Sequence, residues 1–361
     1  MSGQDDRAAH AGTLLAVDGN SLVHRSFHAQ AHTGQPSWAV RGLLTQLVHA
    51  VERVRPVAVV VGFDDPDAST RRDRWPQYKA NRAEKLDTLV AQLAAAATAL
   101  RDLGVAVVVP PGLEADDVLC STAAVGRAAG LRTVVVTSDR DAFALIDDTT
   151  SVLRIIDGGV EASPLMTPER LVMLLGVHPR QYRDFAALRG DPSDNLPGVR
   201  GVGPRTAARL LAEFGTAAAA FDDPAAVRER LGGGVANRLA AEGARAAWEL
   251  NCQVMTMHDD VDLGLDLAGG PGVLPLPAGV VESVYRSYAL TWGAGAAVRV
   301  LAETETDAGP TTPVVVDAPG ASGASGAPGA PGAPGSWWPT SAPRRAPRLP
   351  AKPKDEQLAL F

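Results

Sequence analysis

Acidic residues follow short apolar segments at several points in this sequence. Asp18, Asp64 and Asp139 each end or follow a short apolar run, and the segment GLEADD (112–117) follows a fourth such run. Carboxylate oxygens are the ligands that hard cations such as Mg²⁺ take in proteins. If these acids converge, they form a site for divalent metal ions.

The acids are too numerous for helix and strand capping alone. The helix dipole favours an acid in a first turn by roughly 0.3–1 kcal/mol, but the three acids of GLEADD also repel one another. Many carboxylates in one cleft raise one another's pKa unless cations neutralise them. Two divalent ions can activate a water and stabilise the leaving oxygen at a phosphorus centre. The sequence therefore predicts phosphodiester hydrolysis, and the predicted metal ligands are Asp18, Asp64, Glu114, Asp116, Asp117, Asp139, Asp141, Asp191 and Asp194.

The elements that would position these acids are strands alternating with helices. Apolar runs at 14–17, 57–63, 105–110 and 132–138 alternate with helical patterns at 38–54 and 86–103. Such alternation predicts an α/β fold with a parallel sheet covered on both faces, over residues 13 to about 160. Ligand sites in open α/β sheets lie outside the carboxyl ends of the strands, where these acids fall.

The remainder of the chain differs in composition. Residues 165–290 are mostly helical by pattern, interrupted by a Gly- and Pro-rich loop near 190–204. From about residue 303 the chain is rich in Ala, Pro, Gly and Ser, a composition that cannot build a core and predicts a disordered tail.

A basic segment, STRRDRWPQYKANRAEK (69–85), surrounds Trp75 and Tyr78 with arginine and lysine. Cations for phosphates and rings for bases are typical of a groove that threads a nucleic-acid strand. Read as a helix, the segment places Arg72, Trp75 and Lys79 on one face. The alternative is a solvated helix face.

The segment LPGVRGVGPRTAARLLAEFG (196–215) has the form of a helix-hairpin-helix. Gly201 and Gly203 allow the backbone to approach a phosphate closely, and amides at the start of the next helix can bind that phosphate. Arg205 and Thr206 lie in the first turn of that helix as further DNA contacts. Contacts of this kind position DNA without reading its sequence.

Bulk properties are compatible with a DNA-binding enzyme. The chain has 361 residues, 46% of them hydrophobic, and a formal net charge of −7. Setting the nine predicted ligands aside leaves 32 acidic against 34 basic residues, so the remaining charge does not exclude DNA. Two cysteines in no metal-like spacing, and no signal or membrane segment, predict a reduced, cytoplasmic and nucleoid-associated protein.

Five motifs, taken together and in order, resemble the 5′ nuclease family, in particular the 5′–3′ exonuclease domain of bacterial DNA polymerase I. They are LLAVDGNSLVHRSFHA, FD followed by RRDRWPQYKANR, GLEADD, TSDRDAFALID and GDPSDNLPGVRGVGPRTAARLL, and the resemblance covers roughly residues 13–300. It implies a PIN-like catalytic domain at 13–185 with a helical arch at about 70–100. It also implies a helix-hairpin-helix region at 186–300, followed by a linker at 303–356.

The resemblance also implies roles for individual residues. Two Mg²⁺ or Mn²⁺ ions would be held, with Asp191 and Asp194 completing the second site and the other seven acids forming the first or bridging. Lys79 would contact the scissile phosphate and Arg72 would be the arch arginine. The contacts with DNA would come from Arg25, Tyr78 and Arg82, and K⁺ would bind backbone carbonyls around Val199 and Val202.

Some features depart from the family pattern. Arg205 stands where the hairpin usually has Lys, which keeps the charge. AEKLDTL (83–89) replaces a proline-rich stretch, which predicts a more continuously helical arch. No polymerase domain follows, so a stand-alone, monomeric enzyme is expected.

The last five residues, QLALF (357–361), resemble the motif by which bacterial proteins dock on the DNA sliding clamp. The predicted contacts are Gln357, Leu358, Leu360 and Phe361, at the end of about 50 flexible residues that span roughly 40 Å. An arbitrary apolar end is the alternative.

The predicted activity is that of a structure-specific 5′–3′ exonuclease and flap endonuclease acting on DNA with 5′ ends, flaps or RNA primers. A non-catalytic DNA-junction binder is the alternative, although the intact acid set disfavours it. A small-molecule phosphohydrolase is disfavoured because VDGN (17–20) lacks a second Asp two residues after the first.

Overall fold

A parallel sheet forms the centre of the fold in the computed structural model, which describes residues 12–30 and 36–303. The sheet has six strands in the order β3-β2-β1-β4-β5-β6, all parallel except β6, which is antiparallel to β5. This arrangement confirms the predicted α/β class. The strands are β1 (Thr13–Asp18), β2 (Ala58–Gly62), β3 (Ala106–Val108), β4 (Arg132–Thr137), β5 (Thr150–Arg154) and β6 (Leu165–Met166).

Helices cover both faces of the sheet. Alternate side chains of β1 point to these two opposite faces. Leu15 and Val17 pack in one apolar core and Ala16 in a second one. The helices that follow β1 and β2 and the two at the end of the described chain build the first core. They are α1 (Gly19–Gln30), α2 (Trp38–Val54), α4 (Asp87–Leu103), α14 (Ala278–Ser287) and α15 (Thr291–Leu301), whereas the short helix α3 (Thr70–Arg74) lies outside this core, near the acids.

The second core continues into a helical region. It begins with α5 (Ala115–Ala128), which packs on β1, β2 and β4. The remaining helices are α6 (Gly159–Ala162), α7 (Pro168–Leu175), α8 (Tyr182–Arg189), α9 (Pro204–Phe214), α10 (Ala217–Asp222), α11 (Pro224–Leu231), α12 (Gly233–Leu239) and α13 (Ala244–Val254).

The predicted loop near 190–204 contains a small hairpin of β7 (Gly190–Asp191) and β8 (Leu196–Pro197). Its two strands approach so closely at the open end of the hairpin that no side chain fits there. A Cβ on Gly190, whose φ is +76°, would lie 2.2 Å from the Gly198 nitrogen. The hairpin thereby fixes the acidic loop GDPSDN against the end of α8.

The predicted continuous helix through the basic segment is wrong. α3 ends at Arg74, α4 begins at Asp87, and the residues between them form turns and extended chain. Pro76 is the physical reason, because a proline disfavours the α conformation at the residue before it, and Trp75 has φ −129° and ψ 83°. Lys79 then adopts a positive φ of 57°. Arg72, Trp75 and Lys79 therefore do not share one helical face.

The described residues belong to a single compact unit. In this part of the chain, no helix combines the length and the apolar character needed to cross a membrane. The expectations for the linker beyond residue 303 and for the motif at 357–361 fall outside the described residues.

Candidate active site

The sheet brings three predicted acids to one edge. Asp18 is the last residue of β1 and pairs in register with Gly62 at the end of β2, two residues before Asp64. Asp139 follows the end of β4, the other neighbour of β1. The parallel register therefore places the three strand-end acids at adjacent carboxyl ends.

Asp18 is nearly buried and is held by two donors. Its Oδ1 accepts from the Ser21 amide at 2.8 Å and its Oδ2 from Thr137 Oγ1 at 2.7 Å. Burial, helped by the nearby charges of Asp64 and Asp139 and opposed by these hydrogen bonds, raises the pKa of Asp18 to about 7. A cation bound beside this carboxyl group would therefore displace its proton to solvent near neutral pH.

Asp64 joins three elements. Its Oδ2 accepts from Asn20 Nδ2 at 2.7 Å, and its Oδ1 accepts from the Ala115 amide at 3.1 Å, at the start of α5. Asn20 Oδ1 in turn accepts from the Asp64 amide at 3.0 Å. Lys85 Nζ approaches Asp64 Oδ2 at 3.8 Å. Asp64 therefore ties the first turn of α5 and the start of α1 to the segment that follows β2.

Asp141 and Asp116 complete the central part of the cluster. Asp141 Oδ1 is buried and has no hydrogen-bond partner. Burial and the charges of Asp139, Asp191 and Asp194 raise the pKa of Asp141 to about 7. Burial, then Asp139 and Asp18, raise the pKa of Asp116 well above its ordinary value. These mutual effects show that acids from four separate sequence segments share one electrostatic environment.

The Glu114 carboxylate accepts hydrogen bonds from three side chains of the basic segment. Lys79 Nζ donates to Glu114 Oε1 at 2.8 Å, while Tyr78 Oη and Arg71 Nη1 donate to Oε2 at 3.0 and 3.3 Å. Although burial opposes it, the charges of Glu114 and Asp194 raise the pKa of Lys79. Lys79 therefore stays an ammonium group next to the acids.

The same segment also contacts the GDPSDN loop. The Lys79 amide donates to the Asp194 carbonyl at 2.9 Å, and Asn81 Nδ2 donates to the Pro192 carbonyl at 3.1 Å. Arg82 Nη2 donates to Asp194 Oδ1 in a short hydrogen bond. The turn that follows Pro76 is thus docked on the acidic cluster and presents two cations to it.

Asp117 differs from the other predicted ligands. Its two oxygens accept from Arg71 Nη1 and Nη2 at 2.7 and 2.6 Å, from the Glu114 amide at 3.0 Å and from the His258 amide at 2.8 Å. The residue is fully buried. Burial alone would raise its pKa, but the Arg71 guanidinium lowers it below the ordinary value. In this structure its oxygens are occupied by Arg71, the Glu114 amide and the His258 amide, so its predicted role as a metal ligand is not supported by the geometry.

The prediction for Arg72 also differs from the observed arrangement. Arg72 is exposed on α3 and its side chain makes no hydrogen bond or ion pair with the described residues, whereas Arg82 reaches the acids. Arg71, which sequence reasoning did not assign to the site, is the buried arginine of α3. Its position gave a usable signal, because a cation in the first turn of a helix opposes the dipole unless an acid pairs with it.

The cluster contains carboxylate oxygens of the kind that bind hard divalent cations. The positively charged side chains of Lys79 and Arg82 lie among these carboxylates. In the described residues, no three Asp, Glu, His or Cys side chains converge closely enough, as they stand, to hold a metal ion. The ion pairs of Lys79 with Glu114 and Arg82 with Asp194 occupy part of the set. The orphaned Asp141 Oδ1 and the raised pKa of Asp18, Asp116 and Asp141 fit a group of oxygen ligands for divalent ions.

The hairpin residues predicted to contact phosphate lie before α9 and in its first turn. Gly201, at φ +80°, and Gly203, which precedes α9, are exposed, as is Arg205, and Thr206 follows in the first turn of that helix. Val199 and Val202 are buried, with the Val202 amide donating to the Val199 carbonyl at 2.8 Å. Arg25 lies elsewhere, on α1, where its Nη2 pairs with Asp157 Oδ1 at 2.8 Å.

Comparison with known proteins defines the class. The family model for the 5'-3' exonuclease N-terminal resolvase-like domain matches residues 13–176, and the model for the 5'-3' exonuclease C-terminal SAM fold matches residues 177–270. Together they cover more than half of the chain, which therefore belongs to the 5′–3′ exonuclease family.

Curated relatives agree with this assignment. The chain is 40% identical over 243 residues to DNA polymerase I of Mycobacterium bovis, covering 66% of this chain and 26% of that protein. It is 35% identical over 268 residues to the thermostable DNA polymerase I of Thermus thermophilus, covering 72% and 30%. The chain thus spans about a quarter of the length of these relatives.

Solved structures share the fold at low identity. A T5 5'-exonuclease with bound divalent metal ions (zinc) aligns with a TM-score of 0.54 at 17% identity, covering 81% of this chain and 94% of that one. Human GEN1 in complex with Holliday junction DNA aligns with a TM-score of 0.54 at 15% identity, covering 80% and 71%.

Proposed function

We propose that this protein is a structure-specific 5′–3′ exonuclease and flap endonuclease that cleaves phosphodiester bonds of DNA, and of RNA primers joined to DNA, during replication and repair. One observation carries the proposal: acids from four sequence segments crowd at the carboxyl edge of the sheet, and Lys79 and Arg82 border them. Family membership and the DNA-bound solved structures with the same fold support it.

The residues that would hold two divalent ions are Asp18, Asp64, Asp116, Asp139, Asp141, Asp191 and Asp194, with Glu114 added once its cation partners release it. Mg²⁺ or Mn²⁺ bound there would polarise the phosphate and lower the pKa of an attacking water. We expect Asp117 to position α5 through Arg71 instead of binding an ion.

Lys79 and Arg82 would bind the reacting phosphate. Both side chains now donate hydrogen bonds to carboxylate oxygens of the acids. The same N–H groups can donate to phosphate oxygens. Their positive charges would offset the charge that develops on the phosphate oxygens, and preorganised donors of this kind contribute most where water is excluded. Tyr78 is buried beside Lys79 and donates to Glu114, so it would hold this arrangement in place.

The hairpin would hold the duplex part of the substrate. Exposed Gly201 and Gly203 and the first turn of α9 would contact the phosphate backbone, with Arg205 adding positive charge. K⁺ held by the carbonyls around Val199 and Val202 is part of the proposal.

The decisive experiment is cleavage of a 5′-labelled flap duplex in Mg²⁺ or Mn²⁺ by the wild type, Asp141→Asn and Lys79→Ala. Glu229→Gln, at an exposed acid on α11, is the matched control. Incision near the junction that is lost in Asp141→Asn, reduced in Lys79→Ala and unchanged in the control supports the proposal. Tight flap binding without cleavage in any divalent metal would instead establish a non-catalytic DNA-junction binder.

The C-terminal motif provides a further part of the proposal. Gln357, Leu358, Leu360 and Phe361 would dock on a bacterial DNA sliding clamp, keeping a monomeric, nucleoid-associated cytoplasmic enzyme at replication sites. Surface-plasmon measurements with a 315–361 peptide, and with the same peptide carrying Leu358→Ala and Phe361→Ala, test it. Equal responses of the two peptides, or no response at high micromolar concentration, would refute clamp docking.

A further inference from the structure

A second cationic feature lies beside the acidic cluster. A cleft of about 570 Å³ is lined by three arginines, Arg140, Arg154 and Arg189, together with Asp139 and Asp191. None of the three arginines contributes to the proposed reaction as described above. They are separate from Lys79 and Arg82, which contact Glu114 and Asp194 instead.

Arg154 is an incompletely satisfied cation at the end of β5. Its Nε is shielded from water and has no hydrogen-bond partner, and its guanidinium forms no ion pair with any described residue. A shielded donor without an acceptor is costly to a protein. The side chain therefore lines the cleft with unused capacity to donate to an anion.

The other two arginines keep donors available in the same cleft. Arg140 is exposed in the turn after β4 and makes no side-chain hydrogen bond or ion pair within the described residues. Arg189, at the end of α8, approaches Asp191 Oδ2 only at 3.9 Å through Nη2, while its Nε donates to the Gly190 carbonyl at 3.1 Å. Arg140 and Arg154 line the same cleft, and burial, followed by the positive charge of Arg140, lowers the pKa of Arg154.

We propose that this cleft binds a phosphate group of the nucleic-acid strand adjacent to the bond that is cleaved, and this inference rests on the proposed function. Guanidinium groups match phosphate oxygens in geometry and charge. Asp139 and Asp191, which line the cleft, are themselves predicted metal ligands, so a phosphate bound here lies next to the reaction centre. That phosphate is either an internal diester or a terminal 5′ monoester.

Arg154→Gln and Arg140→Gln test the cleft in the full-length protein. The matched control is Arg132→Gln, which removes an exposed arginine at the opposite end of β4. Binding is measured in chelator, and cleavage in Mg²⁺ or Mn²⁺. The flap duplexes carry an unmodified backbone, a neutral methylphosphonate at one linkage beside the cleaved bond, or a 5′-hydroxyl in place of a 5′-phosphate.

Each cleft variant is expected to weaken binding of the unmodified duplex by about tenfold, the size of one charge-assisted contact, while Arg132→Gln leaves it unchanged. The loss should disappear on the one duplex that lacks the bound phosphate. Disappearance on a methylphosphonate duplex identifies an internal diester, and disappearance on the 5′-hydroxyl duplex identifies a terminal phosphate.

Cleft variants that behave like Arg132→Gln on every duplex would overturn the inference. Failure of the wild type to cleave in any metal would refute the proposed function, but the binding comparison in chelator would still decide the role of the cleft. Arg140 is exposed in a turn, so Arg140→Gln keeps the test valid even if Arg154→Gln does not fold.

Discussion

Two adjacent acids, Asp116 and Asp117, should respond in opposite ways to the same substitution. Asp117 accepts four hydrogen bonds and is fully buried against Arg71. The Asp116 carboxylate accepts no hydrogen bond from the described residues, and burial together with Asp139 and Asp18 raises its pKa. Asp117→Asn should therefore destabilise the metal-free protein, whereas Asp116→Asn should stabilise it or leave it unchanged near neutral pH.

The expected loss for Asp117→Asn follows from the charge that remains. Removing one partner of a buried ion pair typically costs about 3–5 kcal/mol. Arg71 keeps the Val254 carbonyl at 3.2 Å, the Thr256 carbonyl at 2.8 Å and Glu114 Oε2 at 3.3 Å, which places the loss towards the lower limit. At about 2.1 cal/mol/K of unfolding entropy per residue, a loss of about 3–4 kcal/mol from a folded unit of this size lowers Tm by roughly 5–7 °C.

Urea and thermal unfolding in chelator measure both variants, followed by the same measurements with Mg²⁺ or Mn²⁺. Replacing both members of the pair, as Arg71→Met with Asp117→Leu, should recover much of the loss because no buried charge remains unpaired. If Asp117→Asn kept the stability of the metal-free protein and lost only the stabilisation by metal, Asp117 would be a ligand and our interpretation would be wrong.

Three further outcomes are expected. The raised pKa of about 7 at Asp18 and Asp141 means that their protonated forms stabilise the fold fully below the unfolded value of about 3.8, and that this contribution is lost as the pH rises through about 7. In chelator, the slope of Tm between about pH 5 and 8 should therefore be shallower in Asp141→Asn, and an identical slope would contradict the reasoning. Lys79→Ala should lower kcat for flap cleavage by about 10²–10³, and a loss confined to KM would argue against contact with the reacting phosphate. Gly198→Ala, whose Cβ would lie 2.2 Å from the Arg189 carbonyl oxygen, should cost about 1–3 kcal/mol of stability. Gly203→Ala, with nothing within 4 Å of its Cβ, should instead keep its stability and weaken duplex binding in a fluorescence-anisotropy titration.

The positions of the strand-end acids could be predicted because Val-rich runs identify buried parallel strands, and parallel strands bring their carboxyl ends to one edge. β6 has only two residues and β5 begins with polar Thr150 and Ser151, so neither shows the apolar run that identified the others. The strands were therefore predicted only where a continuous apolar run identifies them.

The arch segment was predicted less well, because a helical spacing of side chains does not reveal where the backbone stops being helical. Pro76 and the left-handed conformation of Lys79 decide which cations face the acids. Arg82 reaches Asp194, whereas Arg72 is exposed on α3. The role of Arg71 depends on partners 43 to 185 residues away along the chain, which local spacing cannot reveal.

The docking of the basic segment on the acids has a consequence for how ligands bind. Lys79, Arg82 and Lys85 each pair with a different carboxylate, those of Glu114, Asp194 and Asp64. A phosphate backbone that takes these cations leaves the carboxylates free for divalent ions, and divalent ions on the carboxylates leave the cations free for phosphate. Under the proposed function, substrate and divalent ions would therefore strengthen each other's binding by the same factor, as thermodynamic reciprocity requires.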